Sequence, residues 1–304
     1  MKATNPELVK ELNHGSRKAL ARAITIVENE LDGYEEILLN LPSGNDVPVI
    51  GITGPPGAGK STLVNCLIKQ LLNRLDASSR GIGVISVDPS SPVHRGAVLG
   101  DRLRMKEHFL NEMVFIRSLA TRGALGGLSA KTIEITELMR AFGFGFILIE
   151  TVGVGQSELE IAGLADITIL ALTPESGDDI QVMKSGVMEI ADIFVVNKSD
   201  REGAEEFVKN LAQMMSVTHI GTPEQIVKTI ATQNEGIEKL IEIMLKILKK
   251  QSAADESSLL AEKAYRLILN RQMHGIDKEK LKTEIAAVLK RDKKLNIYRF
   301  ANNY

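Results

Sequence analysis

The stretch "GPPGAGKST", Gly54–Thr62, constrains this chain more than any other. It fits G-x-x-x-x-G-K-[ST] and stands between an apolar run, Val49–Thr53, and an amphipathic run that begins near residue 61. Strand, glycine-rich loop and helix in that order form a cradle for phosphate. Gly57 and Gly59 let the backbone bend close to phosphate oxygens. Pro55 and Pro56 have no N–H, so the donors start at Gly57 and finish at the positive end of the following helix. The whole loop (Gly54, Pro55, Pro56, Gly57, Ala58, Gly59, Lys60, Ser61, Thr62) is assigned to a nucleotide, with Lys60 reaching its β- and γ-phosphates and the Ser61 hydroxyl ligating Mg²⁺. A glycine-rich turn without function would not explain the Lys-Ser pair at this position.

Around this loop, short apolar strands alternate with helical stretches. The strands are expected at Val49–Thr53, Gly83–Val87, Met113–Arg117, Phe146–Ile149, Ile167–Leu172, Ile193–Val196 and Ile226–Ala231. Amphipathic helices fall near 61–75, 128–142, 179–189, 203–215 and 236–250. The alternation predicts an α/β fold of the P-loop NTPase kind, a mostly parallel sheet flanked by helices. The second strand is followed by enough chain for a crossover, so the strand at Met113 is expected to run parallel to it. Before the sheet, Arg17–Leu31 carries a helical apolar stripe with Gly33 as a stop, and "YEEILLNL" is a second short helix. After a Ser-rich break at 251–258, two more helices carry Leu259, Leu260, Ala264, Leu267, Ile268 and then Leu281, Ile285, Val288, Leu289. Three parts follow: a helical N-terminal extension at 1–44, a nucleotide-binding domain at 45–250 and a helical C-terminal segment at 251–304.

The 304 residues, 44% of them hydrophobic, are enough for one large core with an appendage. A net charge of −2 leaves no basic footprint for nucleic acid. Cys66 has no partner for an internal disulfide and reads as a small buried residue. No signal core and no run of about 18 apolar residues occurs, so the expectation is a soluble, cytoplasmic protein without a membrane partner. The histidines at 14, 94, 108, 219 and 274 form no cluster with cysteine that would suit a transition metal.

The base is read from "NKSD", Asn197–Asp200, at the end of the sixth strand. The Asp200 carboxylate can accept from guanine N1–H and its 2-amino group, whereas adenine would leave it desolvated and unpaired. Pairing of this type discriminates by about 10⁴-fold or more. Lys198 is expected to pack on the base and Asn197 to tie this loop to the phosphate loop, with backbone contacts to guanine O6 from Ile230, Ala231 and Thr232. GTP is therefore preferred over ATP.

Three acids stand where a metal shell would lie. Asp88 ends the second strand and could orient the attacking water or a metal-bound water. Asp101 could be an outer-shell Mg²⁺ ligand, and both admit the plainer reading of an N-cap or turn former. Glu150 ends the fourth strand in "IETVGVGQSE", and Gly153 leaves an N–H for the γ-phosphate. The segment 173–192, with Glu175, Asp178, Asp179, Gln181 and Lys184, is either a loop with a solvated helix face or a nucleotide-responsive segment in which Lys184 contacts a partner or the γ-phosphate.

Taken together, "SRKALARAIT", "GPPGAGKST", "VISVDPSSP", "GDRLRM", "TRGALGGLS", "IETVGVGQSE", "SGDDIQVMKSGVMEIADIFVVNKSD" and "NEGI" resemble the MeaB/ArgK family, over about residues 15–240. These are G-protein chaperones of adenosylcobalamin-dependent mutases, in the branch of P-loop GTPases that includes the signal recognition particle. The resemblance implies a homodimeric GTPase that binds GTP/GDP with Mg²⁺, does not itself bind cobalamin, and partners methylmalonyl-CoA mutase or a related acyl-CoA mutase. Such proteins gate cofactor loading and protect or reactivate the mutase. It implies further that Asp88, Asp101 and Glu150 form the acidic metal and catalytic shell and that 173–192 is an extra switch; the C-terminal helices fit a dimerisation arm by position, not by any motif. No base or arginine finger stands out, so slow intrinsic hydrolysis is expected, stimulated by the partner. The alternatives are a GTPase of nickel-enzyme maturation, which would need metal-binding Cys/His clustering, and a kinase linked to amino-acid transport, which would need an ATP site.

Overall fold

In the computed structural model, the strands expected from the sequence assemble side by side in the order β3-β2-β4-β1-β5-β6-β7, every neighbouring pair parallel. They are β1 (Val49–Thr53), β2 (Ile82–Asp88), β3 (Val114–Ala120), β4 (Phe146–Glu150), β5 (Ile167–Leu172), β6 (Ile193–Asn197) and β7 (Ile226–Thr229). The structure describes residues 5–42, 46–88, 105–120, 131–151, 157–175, 186–250, 253–273, 276, 278–292 and 295–301. The helices among them are α1 (Asn5–Asn13), α2 (Arg17–Glu28), α3 (Tyr34–Leu39), α4 (Lys60–Leu72), α5 (Thr132–Phe142), α6 (Ser157–Glu160), α7 (Ala204–Thr218), α8 (Ile237–Leu248), α9 (Ala253–Gln272), α10 (Lys278–Asp292) and α11 (Ile297–Ala301).

Every residue of β1 is buried, as a strand apolar on both faces requires when helices cover both sides. On one face, α4 turns Leu63, Val64, Leu67, Ile68 and Leu71 inward, and α8 adds Ile237, Leu240, Ile241 and Met244. These meet Ile50, Ile52, Ile167, Ile169, Val195 and Val227 from the sheet. Each such side chain contributes about 1.5–3 kcal/mol of burial. On the opposite face, Leu170, Leu172, Phe194 and Val196 pack with Leu211 and Met215 of α7.

The N-terminal helices are joined to the amino ends of the strands through two arginines. Arg80 donates to the carbonyls of Leu12 (3.4 Å), Asn13 (2.8 Å) and Phe142 (2.7 Å), and its guanidinium lies 5.4 Å from the centre of the Phe142 ring. Arg17 donates to Val114 O (3.0 Å) and Arg80 O (3.2 Å). α2 starts where Ser16 caps it, its hydroxyl accepting from Ala19 N–H at 3.2 Å.

Several boundaries differ from the sequence reading. α1 lies outside the expected helices and buries Leu8, Val9 and Leu12. α2 ends at Glu28 rather than Leu31, because the chain turns at Glu30 with φ 49, and Gly33 starts α3 instead of stopping α2. β7 ends at Thr229, two residues before the expected Ala231: Ile230 pairs antiparallel with Glu235 and Ala231–Gln233 form a single 3₁₀ turn. Of the helix expected at 179–189, residues 186–189 are turn, and the rest lies outside the described residues. The break expected at 251–258 is helical from Ala253 onward, where the good helix formers of "AADESSLLAEKA" outweigh the two serines.

The chain divides into two compact units, Met1–Leu260 and Ala261–Tyr304. The second consists of the end of α9 with α10 and α11. Among the described residues, no helix is long and apolar enough to cross a membrane.

Candidate nucleotide site

The site lies at the carboxyl ends of the strands, the edge where an open parallel sheet binds its ligands. The chain leaves β1 at Thr53 and enters α4 at Lys60. Close approach requires glycine twice along the way. At Gly54 (φ 136) a Cβ would sit 2.1 Å from the Ala171 carbonyl oxygen, and at Gly59 (φ 84) it would sit 2.3 Å from Asn197 Nδ2. At Gly57 (φ 83) nothing lies within 4 Å, so the loop is open on that side. The Ala58 N–H turns back to Pro55 O (3.3 Å). Lys60 is buried, and its Nζ donates to Gly54 O (2.8 Å) and Pro55 O (3.0 Å), which holds a positive charge against the loop. Gly59 caps α4 without a side chain, so the helix presents backbone N–H groups and the positive end of its dipole to an anion.

Beside the loop, Ser61 Oγ donates to Glu150 Oε1 at 2.6 Å, and both side chains are buried. Register puts Glu150 there: on β4 it lies level with Ile52 of β1 and Ser86 of β2. Below it, Thr151 Oγ1 donates to Thr53 Oγ1 (2.9 Å) and Thr151 N–H to Ile52 O (3.0 Å), which locks the end of β4 to the start of the loop. A hydroxyl and a carboxylate meeting at the start of a helix are oxygen donors of the kind a hard divalent cation takes, so these residues fit Mg²⁺. Asp88 closes β2, its backbone level with Ala120 of β3, and its side chain lies outside the described residues. Asp101, Gly153 and Lys184 also lie outside them.

The third part of the site is built around Asn197 at the end of β6. Its Nδ2 donates to Ala58 O (2.9 Å) in the phosphate loop; its Oδ1 accepts from Thr229 Oγ1 (3.1 Å) and Ala231 N–H (3.1 Å). One buried side chain thus joins the loop after β1, the end of β6 and the end of β7. Lys198 follows with φ 56, and Ser199 donates through both N–H and Oγ to Thr229 O at 3.1 Å. This turn leaves Asp200 exposed, next to Arg201, which pairs with Glu175. The Ala231 N–H, expected to face the base, is engaged with Asn197; Thr232 is exposed.

Two participants escape the motifs. Thr229 supports Asn197, and Cys66, on the buried side of α4, donates from Sγ to Ala231 O at 3.0 Å. Burial pushes the Cys66 thiol above its ordinary range, so it remains a protonated donor. The Asn65-Cys66 sequence carries no signal for the thiol contact; a helical wheel shows only that Cys66 faces inward.

The family described as "Methylmalonyl Co-A mutase-associated GTPase MeaB" matches residues 20–287. The chain belongs to the MeaB family. That match runs past the last motif quoted above, into α10. Among relatives, a putative GTPase of Pyrococcus abyssi is 42% identical over 291 residues, covering 93% of this chain and 84% of that one. The mitochondrial methylmalonic aciduria type A homolog of Mus musculus is 34% identical over 264 residues, covering 80% and 62%. The crystal structure of a protein described as LAO/AO transport system kinase superposes with a TM-score of 0.65 at 24% identity, covering 99% of this chain and 97% of that one, a likeness of fold. As a MeaB-family member the chain is a P-loop GTPase, a guanine-nucleotide-binding hydrolase.

Proposed function

We propose that this chain is the GTP-hydrolysing chaperone of an adenosylcobalamin-dependent acyl-CoA mutase such as methylmalonyl-CoA mutase, acting in the cytoplasm to gate cofactor loading and to protect or reactivate the mutase. The observation that carries this reading is the match to a family described by its association with that mutase, across almost the whole chain. The relative named for methylmalonic aciduria supports it.

In this reading Lys60 and the α4 amides bind the phosphates, and Asp200 and Lys198 bind the guanine. Ser61 and Glu150, together with Asp88 and Asp101, would hold Mg²⁺. When bound, that ion neutralises charge on the β- and γ-phosphate oxygens. Lys60 would stabilise the same charge, Gly153 would meet the γ-phosphate, and Lys184 in segment 173–192 would couple nucleotide state to the partner. Intrinsic turnover is slow; a rate above about 10 s⁻¹ without a partner would count against the reading.

Residues 45–250 form the GTPase domain in this proposal, 1–44 an extension, and 251–304 an arm for a second copy. Supporting the arm, Tyr265, Ile268 and Leu269 recur at helical spacing on α9 and are exposed, as is Met273 just past its end. Ile268→Asp should therefore shift the protein from dimer to monomer in light scattering. The decisive experiment is co-purification with a cobalamin-dependent mutase in GDP and in a non-hydrolysable GTP analogue. Retention that depends on the nucleotide supports the chaperone role, and absence of any such partner in either state overturns it.

A further inference from the structure

α4 carries the phosphate-binding residues at its start and, farther along, the side chain that touches the loop after β7. Ala231 is held there from two sides. Its N–H is accepted by Asn197 Oδ1 (3.1 Å), and its carbonyl accepts from Cys66 Sγ (3.0 Å) and from Asn234 N–H (3.2 Å). Asn197 is itself fixed on Ala58 O (2.9 Å), so a closed ring of contacts runs from the phosphate loop through Asn197 and Ala231 to Cys66 and back along α4. Cys66, Ala58 and Ala231 belong to one buried cluster, which excludes water from the ring.

The ring matters for geometry. In the guanine-binding reading, the 3₁₀ turn Ala231–Gln233 would meet the base only through backbone groups, and the orientation of a backbone group is set by what holds its neighbours. With Ala231 fixed on both its N–H and its C=O, the peptide that leads to the exposed Thr232 is oriented before any nucleotide arrives. We infer that Cys66 is a positioning residue for guanine recognition: its thiol holds the Ala231 carbonyl, and so the 230–232 turn, in register with the phosphate loop. This rests on the guanine-binding reading of the site.

A second feature agrees. The charged neighbours of Cys66 are Lys69 on its own helix and Glu107 opposite, and these two pair with each other at 2.8 Å. Neither is thereby directed to take the thiol proton, and the group acts as a hydrogen-bond donor rather than a nucleophile.

The test separates base from phosphate. Binding of GDP, IDP, ADP and inorganic tripolyphosphate is measured for the full chain and for Cys66→Ala, Cys66→Ser and Asp200→Ala. Cys66→Ala should weaken GDP and IDP by about three- to tenfold, the loss of one net hydrogen bond, and speed GDP release to match. Tripolyphosphate affinity should stay unchanged, and Cys66→Ser, which keeps a donor, should recover most of the loss. Unchanged GDP affinity in Cys66→Ala, or an equal loss of tripolyphosphate binding, overturns the proposal. If the unaltered chain fails to prefer GDP over ADP, or Asp200→Ala has no effect on that preference, the guanine reading fails first, and this is seen without any Cys66 variant.

Discussion

At the amino ends of the strands, carboxylates answer cations and strand-start amides. Asp166 accepts from Val49 N–H (2.7 Å) and takes Arg140 on both oxygens (3.0 and 2.7 Å), and Asp192 accepts from Thr168 N–H (2.8 Å). At the carboxyl ends, the carboxylate of Glu150 accepts from the Ser61 hydroxyl, and the ammonium of Lys60 is held by the loop's own carbonyls. Both ends use long-range side-chain ties across the same sheet. At the amino end Asp166 and Arg140 form a full opposite-charge pair, and with Asp192, Arg17 and Arg80 on backbone groups they stabilise the sheet. At the other, the described ties of Glu150 and Lys60 include a hydroxyl and two carbonyls, neutral dipoles that a ligand can replace. Stability and chemistry should therefore respond separately to substitutions at the two ends.

The largest separation is expected at Asp200, which is exposed and takes no part in the core. Asp200→Asn should reduce GTP affinity by about 10²-fold or more and improve xanthosine triphosphate binding, with an unchanged thermal melt; equilibrium titration of both nucleotides checks it. Next is Glu150→Gln, which keeps the shape beside Ser61 and removes the charge. GTP hydrolysis should fall by about 10²-fold while urea stability stays close to that of the parent. If stability falls instead and turnover persists, Glu150 belongs with the structural carboxylates.

The amino end should behave in the opposite sense. Asp166→Ala removes the carboxylate that Arg140 and the Val49 amide share, and should cost about 2–3 kcal/mol in urea unfolding without altering GDP affinity. The smallest effect is at Asp192. Burial raises its carboxyl above the ordinary range, and the Thr168 N–H only partly opposes this. A carboxyl raised in the folded state favours the protonated form there, so it costs stability once pH climbs above its unfolded value, and the cost is complete above the folded value. Asp192→Asn can still accept from Thr168 and should remove that cost. The variant should gain relative to the parent between acidic and neutral pH in parallel urea titrations; a constant difference across pH would refute this.

How far the sequence could be read depended on distance along the chain. β1, the phosphate loop and α4 are contiguous, and their glycines, lysine and apolar periodicity each have a local cause. The parallel arrangement of β2 and β3 followed from the length of chain between them. Ser61 and Glu150 meet only because β4 lies beside β1, and no local rule states that neighbour relation; the family resemblance supplied it. Cys66 and Ala231 are farther apart still, in an unremarked helix position and a turn read as strand. The Ile230-Ala231 pair is apolar and β-prone, but the antiparallel bridge from Ile230 to Glu235 ends the strand first. α1 has Leu8, Val9 and Leu12 on one side, a pattern too short to rank above a loop without the Arg80 guanidinium, which donates to the carbonyls at the end of the helix.

The strand order also bears on how the chain is made. β1 pairs with β4 and β5, Val49 with Ile147 and Ile50 with Ile167, and both partners are encoded far downstream. At about 5–20 residues per second, a ribosome leaves the phosphate-loop strand without either neighbour for roughly 5–20 s. During synthesis the apolar "VIGIT" segment thus has α4, but neither neighbouring strand, for cover. The cradle takes shape only after half the chain has emerged, so the nascent protein becomes competent for nucleotide late, close to the moment when the base-reading loops arrive.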